Sequence, residues 1–257
     1  MILLIVGVKE GVEIAEKIAT EGYSIGILAK NKTCLERLKK SACKDFLLKG
    51  NVFQDMINSD EASKISCIID ADLEISNNFQ NIACSLSKKP TYIRYLREEL
   101  ELPKEPLIRT VYSFEEAVDE VRGKEVGTIF LTTGSYNLEK FIKSDSLTDR
   151  RIVVRVLPDW KVIKKCQDIG VVSKDIIAMQ GPFSVRINKA TFKMCNADII
   201  VTRDSGKSGG TDNKIAAALE LKIPIVVIKR KLSDRYLTAY NISEILKLLN
   251  KMKGDTI

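Results

Sequence analysis

Short runs of aliphatic and β-branched residues recur along this chain, each followed by a stretch with helical spacing, and few folds satisfy that alternation. Residues 2–6, 25–28, 46–48, 65–69, 92–95, 128–131, 152–157, 176–178, 199–201 and 225–228 read as strands. The clearest of them are apolar at nearly every position, which is the pattern of parallel strands covered by helices on both faces. The intervening stretches carry helical signals. Val12, Ile14, Ala15, Ile18 and Ala19 precede Gly22; Thr33 caps a helix through Leu35 and Leu38; another helix falls over 75–86. Ser113-Phe114-Glu115-Glu116 is a capping box opening a helix to Val121, and further helices run from Ser184 towards Met194, over 216–221 and over 242–252. The charged stretch 97–106 holds Pro103 and Pro106 without an apolar period, so it reads as a linker. The expected architecture is therefore α/β: two doubly wound, Rossmann-like parallel-sheet domains, residues 1–100 and 107–257, with a cleft between them where ligands bind.

Histidine is absent from all 257 residues. A Ser-His-Asp triad, a Cys-His dyad and every histidine-bearing metal site are thereby excluded. The six cysteines (Cys34, Cys43, Cys67, Cys84, Cys166 and Cys195) are scattered with no C-x-x-C pair, so they read as small buried hydrophobes or free thiols and no metal site is expected. No apolar run approaches the roughly 20 residues of a membrane span. The apolar start lacks a basic flank and meets Gly7-Val8-Lys9-Glu10, so a soluble, cytoplasmic protein is expected, monomeric or a small homo-oligomer. The net charge of +7 favours anionic partners, while basic residues interleaved with aromatics, the mark of a nucleic-acid surface, are missing.

In parallel sheets ligands bind past the carboxyl ends of strands, where loops meet helix N-termini. Gly7-Val8-Lys9-Glu10-Gly11 follows the first strand in the position of a phosphate-binding turn, yet carries only part of the dinucleotide fingerprint. Thr132, Thr133 and Gly134, before Ser135, place two hydroxyls and a glycine after a buried strand, a compact set of donors for phosphate or ribose oxygens. The most informative stretch is Thr202-Arg203-Asp204-Ser205-Gly206-Lys207-Ser208-Gly209-Gly210-Thr211-Asp212-Asn213-Lys214. Gly206, Gly209 and Gly210 allow close backbone approach, Ser205 and Thr211 add hydroxyls, and Arg203, Lys207 and Lys214 add positive charge. Thr211 is positioned to cap the following helix, whose dipole then points at the same spot. The loop is not a Walker A sequence, because Gly210 is not followed by Lys-Ser/Thr. Gly181-Pro182-Phe183-Ser184 is a weaker case, explained equally by a helix start.

Four segments in order then carry a resemblance: Phe130-Leu131-Thr132-Thr133-Gly134, Val154-Arg155-Val156-Leu157-Pro158, Gly181-Pro182-Phe183, and the 202–214 loop with its continuation to Ile228. Together they resemble the precorrin-6A and cobalt-precorrin-6A reductase family of cobalamin biosynthesis. The N-terminal half is similar at Glu10-Gly11, Asp70-Ala71, Glu74 to Asn78 and Tyr92-Ile93-Arg94. It departs where the family's Gly-Gly-Thr is Gly7-Val8-Lys9, where the family's Asp-Ala-Thr-His-Pro-Phe-Ala is Asp70-Ala71-Asp72-Leu73, and where Lys-Asn is Arg203-Asp204.

The resemblance implies hydride transfer from NADPH or NADH to a polycarboxylate tetrapyrrole, saturating one ring double bond to give a precorrin-6B-type product. The divergent, histidine-free sequence favours the anaerobic, cobalt-bearing branch. Gly7, Glu10, Thr132, Thr133, Gly134, Gly181, Arg203, Ser205, Gly206, Gly209, Gly210, Thr211 and Lys214 are the residues expected to hold cofactor or substrate. With no histidine available, the accompanying proton is expected from solvent or from a carboxylic acid such as Asp204. Two other readings fit the residues: a divergent dinucleotide- or tetrapyrrole-binding protein without turnover, and an unrelated Rossmann-type oxidoreductase.

Overall fold

The computed structural model describes residues 1–48, 60–72, 89–123, 125–230 and 236–254. Its strands are β1 (Ile2–Val6), β2 (Ile25–Ala29), β3 (Cys67–Ala71), β4 (Thr91–Tyr95), β5 (Ile108–Val111), β6 (Thr128–Leu131), β7 (Arg151–Val156), β8 (Ile176–Ala178), β9 (Ile199–Arg203), β10 (Ile225–Ile228) and β11 (Leu237–Ala239). Its helices are α1 (Lys9–Thr20), α2 (Lys32–Lys39), α3 (Phe114–Val121), α4 (Glu139–Ile142), α5 (Trp160–Asp168), α6 (Val185–Met194), α7 (Thr211–Glu220) and α8 (Ile242–Gly254). The chain forms two units: Met1–Arg97 with Ser233–Ile257, and Glu98–Leu232.

The first unit is built on a parallel sheet in the order β11-β4-β3-β1-β2. Every residue of β1 is buried, as expected of a central strand covered on both faces. The stripe Val12, Ile14, Ala15 and Ile18 turns α1 onto that sheet, and Gly22, at φ +76°, ends the helical turn. Ile245 and Leu249 of α8 join the same core.

The second unit has six parallel strands in the order β5-β10-β9-β6-β7-β8. Successive strands β6, β7 and β8 step outward one way, and β9 and β10 step outward the other. The reversal falls between the neighbours β6 and β9. On one face Phe130 of β6 meets Phe192 of α6 edge-on at 5.1 Å, both fully buried, a contribution of roughly 2–3 kcal/mol for each ring taken out of water.

Several sequence expectations need correction. The tail assigned to the second domain instead completes the first sheet, because β11 pairs in parallel with β4 and α8 packs against α1. The three-residue strand β11 and the half-exposed β5 are too short and too polar to register as apolar runs. The third strand expected at 46–48 is a 3-10 turn at Lys44–Phe46 followed by a single bridge from Leu47 to Ile27. Asn31, rather than Thr33, caps α2: its side chain accepts the Cys34 N–H at 2.8 Å. The helix expected over 75–86 lies outside the described residues. The Ser113 capping box forms as read, with Ser113 accepting from the Glu116 N–H and Glu116 accepting from the Tyr112 N–H.

Candidate functional site

In the second unit the strand order reverses between β6 and β9, and the carboxyl ends of such a pair are the position at which parallel sheets take ligands. The two loops singled out in the sequence, Thr132–Gly134 and Asp204–Lys214, are those that leave these two strands. Thr132 spends both its N–H and its hydroxyl on the Val201 carbonyl, at 2.8 and 3.1 Å, and so ties β6 to β9. Thr133 is 4 % exposed, and its hydroxyl makes no hydrogen bond among the described residues. A buried hydroxyl without a partner is costly, and a ligand oxygen relieves that cost.

The second loop is held by its own side chains. Asp204 accepts the Gly206 N–H at 2.9 Å through one carboxylate oxygen and the Leu100 N–H at 3.0 Å through the other. That geometry makes Asp204 a fixed post of the loop, with both carboxylate oxygens engaged. Thr211 is fully buried; its hydroxyl accepts the Ser205 N–H at 3.0 Å and donates to the Arg203 carbonyl at 3.3 Å. It therefore does not cap α7 as expected. The cap position is Gly210, whose φ of +70° is left-handed and whose Cβ, were there one, would sit 3.3 Å from Pro182. The first turn of α7 consequently has no side-chain cap, and its N–H groups carry the partial positive charge of a helix start. The Gly181–Phe183 segment packs here too: Asn213 donates to the Phe183 carbonyl at 3.1 Å.

Positive charge converges on this edge. Lys214, half-buried on the first turn of α7, donates to the Thr202 hydroxyl at 3.3 Å. Burial, aided by the charges of Arg155 and Arg203, pushes its ammonium down from 10.5 to about 8. The guanidinium of Arg203 lies 5.9 Å from the Tyr136 ring centre. Arg155, on β7, is only 6 % exposed and has no ion-pair partner among the described residues. It donates to Asn188 at 2.8 Å and lies against the rings of Phe183, Phe130 and Phe192 at 4.6, 5.9 and 6.0 Å. Burial alone pushes it down to about 10. Arg155 entered the sequence reading only as part of a motif. The signal that marks it is a charged residue within the otherwise apolar run Val153-Val154-Arg155-Val156, on the same face as the core residue Val153.

The first unit's turn is different. Gly7 is required by a close approach, since a Cβ there would lie 2.3 Å from the Asp72 carboxylate. Glu10 forms a two-pronged ion pair with Arg97, both contacts 3.0 Å, with each side chain largely buried. Nearby, Arg94 donates to Asp70 and, at 2.6 Å, to the Asp72 carbonyl, while the Tyr92 hydroxyl also donates to Asp70. Burial raises the Asp70 carboxyl against the opposing pull of Arg94 and Tyr92. Gly7 and Glu10 thus serve a network of the protein's own charges. Among the described residues no cluster of three or more potential ligands could hold a metal, and no helix is long and apolar enough to cross a membrane. The five described cysteines are buried and unpaired with one another.

Two doubly wound parallel sheets, one with hydroxyl and basic side chains gathered where its strand order reverses, define a Rossmann-like α/β protein. Comparison with known proteins makes that class specific. The chain matches the family model described as precorrin-6x reductase CbiJ/CobK over residues 1–250, and it belongs to that family of oxidoreductases. It is 32% identical to a cobalt-precorrin-6A reductase of Priestia megaterium, over 95% of each chain. It is 28% identical to the cobalt-precorrin-6A reductase of Methanocaldococcus jannaschii, over 98% of this chain and 99% of that one. Its fold is that of a solved CobK precorrin-6A reductase, with a TM-score of 0.71 at 15% identity, covering 97% and 96% of the two chains.

Proposed function

We propose that this protein reduces the cobalt-bearing precorrin-6A macrocycle with NADPH or NADH, yielding the dihydro product of precorrin-6B type. Membership of the reductase family along nearly the whole chain carries this reading. The second unit supports it, because the loops at its strand reversal suit an oxygen-rich anion. Thr133 offers a buried hydroxyl without a partner among the described residues, α7 a first turn without a side-chain cap among them, and Lys214 and Arg203 positive charge.

When bound, the nicotinamide supplies the hydride, so the chain needs no nucleophile or metal of its own. The residues then have three tasks. Thr133, Ser205, Gly206, Gly209 and the first turn of α7 receive anionic oxygens. Asp204 and Thr211 keep that loop rigid before the ligand arrives, which lowers the ordering cost of binding. Arg203 and Lys214 balance negative charge in a region partly shielded from water. The proton that completes the reduction comes from solvent in this reading, with Asp204 holding its loop through two backbone N–H groups.

Anaerobic turnover tests the proposal. Purified protein receives metal-free or cobalt-bearing precorrin-6A and either NADH or NADPH. A product heavier by two hydrogens, with one reduced nicotinamide consumed for each, is the expected outcome. Tetrapyrrole binding without turnover would instead identify a binding protein that has lost activity.

A further inference from the structure

At the end of the second unit's sheet opposite the 202–214 loop, the residues leading into β7 and β8 enclose a cavity of about 590 Å³, a volume in the range of small-molecule sites. Part of its lining is apolar. Leu147 and Val171 are buried members of the core on this face of the sheet, and Ile152 packs against that core. Val172 also lines the cavity, yet is 59 % exposed. Apolar surface left open beside a cavity is where the ring or chain of a ligand gains most by leaving water.

The polar lining divides into groups already engaged and groups still to spare. Arg151 donates twice to Asp175, at 2.8 and 2.7 Å, and once to the Cys195 carbonyl at 3.0 Å, so that pair is a fixed part of the wall. The Thr148 hydroxyl donates to the Asp145 carbonyl at 2.9 Å, and the Ser144 hydroxyl lies 2.8 Å from that of Ser146. The donors to spare are cationic. Lys143 and Lys174 are exposed and have no ion-pair partner among the described residues, and the Arg150 guanidinium donates only to the Gly123 carbonyl, at 3.3 Å. Against these cations and Arg151 stand two carboxylates, Asp145 and the engaged Asp175, so the lining has an excess of positive charge. A small inorganic anion would gain nothing from the apolar lining, and a neutral apolar molecule nothing from the cations. An organic anion gains from both.

We propose that this cavity is a second ligand site, taking an organic carboxylate with an apolar body of one or two rings. The rings lie against Leu147, Val171 and Val172, and the carboxylate is held among Lys143, Arg150 and Lys174. The site sits at the amino ends of β7 and β8, away from the loops that leave β6 and β9, so it does not rest on the reductase reading.

The test is calorimetric titration of the full chain with 2-naphthoate, with naphthalene-2-methanol as a neutral compound of similar shape. Saturable binding of naphthoate is expected, weakened by added salt, with the neutral compound bound about tenfold less tightly. Val172→Asp sets a carboxylate beside the apolar lining and should weaken naphthoate about tenfold. Lys143→Gln combined with Lys174→Gln should weaken it about fivefold and remove most of the salt dependence. All three side chains are exposed, so the urea unfolding midpoint should stay unchanged and a lost affinity reports the site itself. Absence of saturable binding, equal affinity for the neutral compound, unchanged affinity in both variants, or displacement of naphthoate by NADP+ would overturn the proposal. Turnover of precorrin-6A bears on the reductase reading alone, so the two readings fail independently.

Discussion

Lys214 should cost the fold stability at neutral pH, and the cost should fade as the pH rises. Its ammonium is held down at about 8 in the folded protein, against 10.5 for an ordinary lysine. At about 1.4 kcal/mol per pH unit, that gap corresponds to roughly 3 kcal/mol of destabilisation while the lysine is charged in both states. The sign follows from proton binding. Between about pH 8 and pH 10.5 the unfolded chain holds a proton that the folded one has released, so stability contributed at this site increases with pH. Replacing Lys214 with Met removes the ionisation and also the hydrogen bond to Thr202, itself worth about 1 kcal/mol. The variant should therefore be more stable than the unsubstituted protein at pH 7 by about 2 kcal/mol. That advantage should shrink by about 2 kcal/mol between pH 7 and pH 9.5. Urea unfolding followed by circular dichroism and by the emission of Trp160 provides the assay, since the single tryptophan lies in the same unit. Only the difference between the two proteins matters, so titrations common to both cancel. A difference that stays constant across this range, or widens, would refute the reasoning.

Three further expectations are narrower. Asp204→Ala strands the N–H groups of Gly206 and Leu100 and should cost about 2–4 kcal/mol, together with loss of anion binding; unchanged unfolding midpoint and affinity would remove Asp204 as the post of its loop. Gly7→Ala sets a methyl group 2.3 Å from the Asp72 carboxylate and should destabilise the first unit by about 1–3 kcal/mol in thermal unfolding. A variant as stable as the parent would show that Asp72 moves aside freely. Burial pushes the Cys67 thiol up to about 12, so it should resist alkylation at pH 8 until the protein unfolds; rapid labelling of Cys67 in the native state, read by peptide mass, would contradict that burial.

The strands legible in the sequence are the ones that burial forces to be apolar throughout, β1, β6 and β10 above all. Those that escaped notice, β5 and β11, lie at sheet edges, where one side needs no apolar cover and three or four residues suffice. The 202–214 loop stood out because glycine, hydroxyl and basic residues gather there directly after a buried strand. Its internal wiring was not, because Thr211 and Asp204 find their partners through backbone geometry that spacing alone leaves open. Glu10 looked like a member of a binding turn, and only the fold brings Arg97 to it from 87 positions away. Arg155 shows the converse: a charge in an apolar strand is visible in one dimension, but its aromatic surroundings come from β6, from α6 and from the segment before α6.

The first sheet takes its last strand from residues 237–239, after the whole of Glu98–Leu232 has passed through the second unit. During synthesis the second unit is complete in the nascent chain while the first still lacks β11 and α8, so the later-encoded unit is the earlier able to fold. Until residues 237–239 emerge, β4 presents a row of unpaired backbone groups as an open edge, the kind of surface on which strands of other chains pair. A chain terminated after Leu232 but before Leu237 therefore has a whole second unit and a first unit prone to aggregate.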